Sequence, residues 1–187
     1  MGIFNVSPEE KWIKSKQDTT WNRMFTGFDP KDVLITKCMV WYAVLFADEL
    51  LSSDVFETEN TAIRVETILL AKMQFYHLVT KSATIHNMFY GYVFELFVNH
   101  YKMSIGDAYS AISKMHSAED WYLTWYYNYY ESNKGNFAEV LRQYCNNAKI
   151  NKCTDGKPIL SVTTDQLALV AARLLMTMHN QFIKEMP

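Results

Sequence analysis

Histidine, cysteine and carboxylate residues could do chemistry in this sequence, but their spacing matches no metal or catalytic motif. No two of the five histidines stand four residues apart, and no Glu-x-x-His pair occurs, although helical metal sites use these spacings. His116 and Glu119 are three residues apart, yet Ser117 between them has the features of a helix cap. This spacing predicts that the two residues flank a helix start. We therefore expect no metal ligand and no cofactor.

A nucleophilic site has no local signature either. The six glycines are isolated, so the chain contains neither Gly-x-Ser-x-Gly nor a phosphate-binding glycine loop. Cys145 has Arg142 and Lys149 nearby, and cationic neighbours could lower its thiol pKa, but an ordinary half-buried thiol is the simpler interpretation. We predict no catalytic residue. An enzyme whose site is assembled in space from distant residues stays open as an alternative.

The segment 121–130 departs most from ordinary composition, because seven of its ten residues are aromatic. Rings that point in every direction around a helix cannot all face one core. Tryptophan and tyrosine are also enriched at protein interfaces, since they combine apolar area with a polar group. The segment therefore predicts a partner-binding surface, and a helix packed between two layers is the alternative. The residues of this predicted surface are Trp121, Tyr122, Trp125, Tyr126, Tyr127, Tyr129 and Tyr130.

A second candidate surface is acidic. The stretch 48–59 carries five acidic residues and no lysine or arginine. Such a stretch could dock a basic partner, and a solvated connection between two helices is the alternative. Its acidic residues are Asp48, Glu49, Asp54, Glu57 and Glu59.

The elements that position these residues are predicted to be helices. At six places a capping residue is followed three residues later by a second polar acceptor, which marks a helix start. The six capping residues are Ser7, Asp29, Ser104, Ser117, Asn136 and Thr163. Apolar periodicity predicts two further helices, over residues 60–82 and 85–101, and an apolar stripe on the last helix.

These elements predict an all-α fold, a compact single-domain bundle of seven or eight helices that spans residues 1–187. Val33–Ala47 is nearly apolar on all sides and is the predicted central helix. Residues 8–26 could form an N-terminal helical arm. The stretch 151–162 has turn chemistry, and within it residues 159–162 could form a short strand that has no partner.

Charge and cysteine content limit the classes of partner and the cellular compartment that we expect for this protein. Eighteen basic and 20 acidic residues give a net charge of -2, which offers no field to attract nucleic acid. No apolar run is long enough to cross a membrane, and nothing at the N-terminus resembles a signal peptide. Three cysteines without a Cys-x-x-Cys pair favour a reducing compartment. We therefore expect a cytoplasmic protein that binds neither nucleic acid nor membranes.

The leading functional hypothesis is a non-catalytic interaction or regulatory protein. It would bind a protein partner, or a second copy of itself, through the aromatic surface. The first alternative is a helical bundle that binds an apolar or aromatic small molecule in a cavity lined by Met88, Phe89, Tyr92 and Met178, together with the tryptophans.

Overall fold

The computed structural model describes residues 25–58, 60–76, 82–132, 137–150 and 156–185, without the side chains of residues 76, 125–132 and 137–138. Within these ranges the protein is all-helical and compact, as the sequence predicts. Six helices are present there, so the predicted number of seven or eight is not confirmed. They are α1 (Pro30–Leu51), α2 (Thr61–Tyr76), α3 (Ala83–Asn99), α4 (Ile105–Ser132), α5 (Phe137–Asn147) and α6 (Thr164–Glu185).

Three helices begin directly after the caps that the sequence predicts. The Asp29 carboxylate accepts a hydrogen bond of 2.7 Å from the backbone N–H of Lys31. The hydroxyls of Ser104 and Thr163 each accept one from the N–H three residues further on, at 3.1 and 3.3 Å. These bonds satisfy N–H groups that have no partner within the first helical turn.

One predicted helix start is wrong. Ser117 lies inside α4, where its hydroxyl donates a hydrogen bond of 2.9 Å to the carbonyl of Ser113. The buried face of the helix continues from Met115 to Tyr122, seven residues later, and so passes Ser117 without interruption. Packing of this face outweighs the local cap signal, and one long helix replaces two predicted ones.

The two helices predicted from periodicity are present as α2 and α3, and their caps have no polar acceptor three residues later. The Asn60 side chain accepts a hydrogen bond of 2.9 Å from the N–H of Ile63, and Ser82 accepts one of 3.4 Å from Ile85. The predicted cap residues Ser7 and Asn136 lie outside the described residues. The predicted arm over residues 8–26 lies outside them as well, except for its last two residues.

The central position belongs to α2. Every residue from Val65 to Phe75 is buried, and the helix packs against α1, α4, α5 and α6. The predicted central segment Val33–Ala47 lies in α1, where Leu34 is 46% exposed. Sequence pattern did not point to α2 because this helix carries polar residues such as Glu66 and Lys72, which find partners inside the protein.

The predicted apolar stripes of α3 and α6 face the core. The seven stripe residues of α3 are all buried: Ile85, Met88, Phe89, Tyr92, Val93, Leu96 and Phe97. Of the seven predicted stripe residues of α6, five are buried, namely Leu167, Ala171, Leu175, Met178 and Phe182, and Val170 and Leu174 are half-buried against the core. Burial of each large apolar side chain contributes about 1.5–3 kcal/mol to folding. Among the described helices, none combines the length and the apolar character that a membrane span requires.

The short apolar segment 159–162 has a partner after all. An antiparallel bridge joins Phe56 to Leu160. The Glu57 N–H donates to the Ile159 carbonyl at 3.0 Å, and a neighbouring bond joins Ser161 to the turn after α1. The bridge ties the connection before α6 to the end of α1.

Candidate functional site

A lysine and a glutamate form an ion pair inside the helical core. Lys72 on α2 is fully buried, and Glu119 on α4 is 2% exposed. The Lys72 Nζ donates a hydrogen bond to Glu119 Oε1. Tyr90 on α3 donates a second bond, of 2.7 Å, to Glu119 Oε2. One carboxylate therefore connects three helices.

Aromatic rings enclose the buried ammonium group. Lys72 Nζ lies 4.2 Å from the centroid of the Tyr90 ring and 5.4 Å from that of Phe89. The face of an aromatic ring carries partial negative charge and attracts a cation within about 6 Å. Because the rings also take the place of water, the attraction between ammonium and carboxylate acts in a medium of low polarity.

Two histidines close the group on its solvent side. His86 Nδ1 lies 3.2 Å from Lys72 Nζ and 3.3 Å from Glu119 Oε1. His116 stands one turn before Glu119, with its Nδ1 3.9 Å from Oε2, and its ring lies 3.8 Å from that of Tyr90. The side chains of His86 and His116 are 23% and 46% exposed. We call Lys72, Glu119, Tyr90, His86 and His116 the Lys72–Glu119 cluster. Its two imidazoles connect the buried ion pair to solvent.

Burial and pairing set the charges of the cluster. Burial lowers the pKa of Lys72 to about 8, against the opposite effect of the Glu119 charge. Burial alone would raise the pKa of Glu119, but hydrogen bonds from its neighbours and the charge of Lys72 together bring it down to about 2. At neutral pH Lys72 is therefore positive and Glu119 negative. Burial also lowers the pKa of His116 and raises that of Tyr90, so both side chains are neutral at pH 7.

The cluster combines groups that are suited to proton exchange and to metal binding. Imidazole gains and loses protons near neutral pH. Two imidazoles and a carboxylate are also ligands that transition metals accept. Among the described residues, one set of three potential metal ligands has its ligand atoms within 4.8 Å of one another. These residues are His86, His116 and Glu119.

Sequence spacing did not reveal this cluster. His116 and Glu119 do not flank a helix start, since both lie within α4, and residues three apart share one helical face. The other members come from α2 and α3, and no spacing rule connects separate helices. The one available signal was Lys72 itself, a charged residue in the otherwise largely apolar run from Ile68 to Phe75.

A second polar network lies between α2, α4 and α5. The Tyr122 hydroxyl and the Asn147 amide each donate a 2.7 Å hydrogen bond to Glu66 Oε1. The hydroxyls of Thr67 and Tyr144 are bonded at 2.7 Å. Burial raises the pKa of both Glu66 and Tyr122. This network fixes the first part of the aromatic segment to the core.

The first two residues of the predicted aromatic surface lie in different environments. Trp121 is 38% exposed, whereas Tyr122 is fully buried. Adjacent residues of a helix diverge by about 100°, which explains why they face opposite environments. Tyr122 is therefore a core residue and not a partner-binding one. The remaining side chains lie outside the described part of the chain and stay predictions: Trp125, Tyr126, Tyr127, Tyr129 and Tyr130.

The predicted acidic surface is partly neutralised. Asp48 lies 2.5 Å from Arg64 of α2, and its side chain is 12% exposed. The stretch itself contains no basic residue, but the fold brings one to it from another helix. Glu59 lies outside the described residues. The members that the structure leaves exposed are Glu49, Asp54 and Glu57.

A cavity of about 320 Å³ lies between the start of α2 and the end of α3. Arg64 and Tyr101 supply polar groups to its wall, and Phe97 and Met103 supply apolar ones. Its volume is near the lower limit of about 300–1,000 Å³ for pockets that hold small molecules. The four residues that the sequence predicts for such a cavity do not line it, because they are buried in the core: Met88, Phe89, Tyr92 and Met178.

Comparisons with known proteins give no relative for this chain. No protein-family model and no curated protein matches the sequence, and no solved structure matches the fold. Its function must therefore be inferred from its own residues.

Proposed function

We propose that this chain is a non-catalytic interaction or regulatory protein of the cytoplasm that binds a protein partner through the aromatic segment of α4. The observation that carries the proposal is the 38% exposure of Trp121 beside the fully buried Tyr122. The buried tyrosine holds the helix in place, so the indole is presented on a fixed support. Fixed tryptophans at a surface commonly supply a large part of the binding energy of an interface.

A second exposed face favours another copy of the chain as the partner. Leu169, Met176 and Ile183 on α6 are 52%, 53% and 48% exposed. Residues seven apart lie almost above one another on a helix, so the three side chains form an apolar line. Two such lines, one from each copy, can pack against each other in an antiparallel pair of α6 helices.

Self-association can be tested by light scattering over a range of concentrations. We expect the unmodified chain to form a dimer, and we expect Trp121→Ala or Met176→Glu to weaken the dimer at least tenfold. Tyr109→Ala is the matched control, because this residue is 65% exposed on α4 but turned by about 120° from Trp121. A monomer at every concentration, or a dimer that neither substitution weakens, would contradict the proposal.

The cavity beside Arg64 favours a second candidate function, the binding of an aromatic small molecule. Phe97 and Met103 give the wall apolar surface, and Tyr101 and Arg64, which is paired with Asp48, add polar groups, so the cavity suits an aromatic molecule with a polar substituent. Anilinonaphthalene sulfonate is a suitable probe, because its fluorescence rises in apolar surroundings. We expect Met103→Trp to fill the cavity and to abolish the signal, whereas Tyr109→Ala, outside the cavity, leaves it unchanged. Equal fluorescence in both variants would exclude this site.

A further inference from the structure

The exposed edge of the Lys72–Glu119 cluster has the dimensions of a metal centre. His86 Nδ1 is 3.3 Å from Glu119 Oε1, and His116 Nδ1 is 3.9 Å from Oε2. In a tetrahedral zinc site with bonds of about 2.1 Å, neighbouring ligand atoms are about 3.4 Å apart. One ligand atom from each of the three residues lies within 4.8 Å of the other two, so side-chain rotation has to bring these atoms closer together around one ion. We propose that His86, His116 and Glu119 form a zinc-binding site.

The three ligands are buried to different extents, as expected for a metal site that leaves one coordination position open to solvent. The Glu119 side chain is 3% exposed, whereas the His86 and His116 side chains are 23% and 46% exposed. An ion enters past the imidazoles and meets the carboxylate at the inner end. Its fourth position then faces solvent and is available to water, as in zinc sites with three protein ligands.

The surroundings already orient the carboxylate ligand. Tyr90 donates to Glu119 Oε2 at 2.7 Å, and Lys72 donates to Oε1. A carboxylate oxygen has two acceptor positions, so Oε2 keeps one for a metal ion, whereas Oε1 has both Lys72 and His86 beside it. Tyr90, an uncharged group that holds Oε2 in this way, is of the kind that commonly increases metal affinity by about 10–100-fold.

Lys72 distinguishes this site from an ordinary three-ligand site. Its ammonium lies 3.2 Å from His86 Nδ1 and is bonded to Glu119 Oε1, so a positive charge already stands beside the metal position. Zinc must bind against the repulsion of that charge. The site therefore binds zinc more weakly than its ligands alone would, and removal of the charge strengthens binding.

Calorimetric titration of the full chain with zinc chloride at pH 7, after removal of metals by a chelator, tests the proposal. We expect one zinc ion per chain and a rise in the melting temperature on binding. His86→Ala and His116→Ala should each weaken binding at least about tenfold. His100→Ala is the matched control, since it removes a half-exposed histidine from the other end of α3.

The Lys72→Met variant gives the sharper test, because it should bind zinc several-fold more tightly than the unmodified chain. Circular dichroism of each variant shows whether it is folded. His116 is half-exposed, so its substitution keeps the test informative even if Lys72→Met fails to fold. Zinc binding that His116→Ala leaves unchanged, or its absence in both the unmodified chain and Lys72→Met, would overturn the proposal.

Discussion

Lys72 and Glu119 depend on each other for their stability in the core. Removal of one partner from a buried ion pair leaves the other charge uncompensated, which costs about 3–5 kcal/mol. We expect Glu119→Gln to lower the free energy of unfolding by about this amount. The double variant Lys72→Met with Glu119→Gln should recover a large part of it, because no charge is then left alone. Urea unfolding of the unmodified chain, both single variants and the double variant measures this coupling; additive losses would argue against the pair.

Acid should destabilise the protein through the same glutamate. The pKa of Glu119 is about 2 in the folded state, below its ordinary value of 4.5. The folded state therefore holds the ionised form more strongly, and this stabilisation is complete above pH 4.5 and is lost as the pH falls towards 2. We expect the melting temperature to fall over this window and the fall to be smaller in Glu119→Gln. The exposed Glu139→Gln variant should keep the full acid dependence, and an unchanged dependence in Glu119→Gln would refute the assignment.

At the scale of elements, the two serines of α4 allow a direct comparison. Ser104 caps the helix, whereas Ser117 lies in its middle and bonds to the preceding turn. We expect Ser104→Ala to lower the free energy of unfolding by about 1 kcal/mol, because the first turn loses a partner. Ser117→Ala should change it by less than about 0.5 kcal/mol or raise it slightly, since alanine favours helix interiors. Denaturant unfolding distinguishes the two, and a larger loss for Ser117→Ala would indicate a break in the helix.

Local signals account for what the sequence could predict. A cap such as Ser104 acts on the next turn, and the α3 stripe depends only on helical period, so both were visible in the sequence. An unreactive thiol was also predictable for Cys145, although this residue is fully buried and not half-buried as predicted; burial raises its pKa to about 11. The long α4 and the Lys72–Glu119 cluster were not predictable, because both depend on contacts between helices that are distant in sequence. The predicted helix start at Ser117 was wrong for the same reason.

At the scale of the whole molecule, α2 packs against four other helices. Truncation of its buried side chains should therefore lower the free energy of unfolding more than truncation of side chains on the outer helices. Leu70 is fully buried, whereas Leu169 on the outer face of α6 is 52% exposed. We expect Leu70→Ala to lower the free energy of unfolding by about 2–5 kcal/mol, since it removes contacts and leaves a cavity. Leu169→Ala should change it by no more than about 0.5 kcal/mol. Thermal unfolding of the two variants, as dilute monomers, compares them, and similar losses would contradict the central position of α2.

The packing of α6 against α1 has a consequence for synthesis on the ribosome. The two helices are in contact, but about a hundred residues separate Leu51 from Thr164. Translation proceeds at about 5–20 residues per second, so α1 waits roughly 5–20 seconds for the helix that covers it. During that interval the α1 side chains that α6 covers, Tyr42 among them, depend on α2 and α3 or on a chaperone for protection from aggregation.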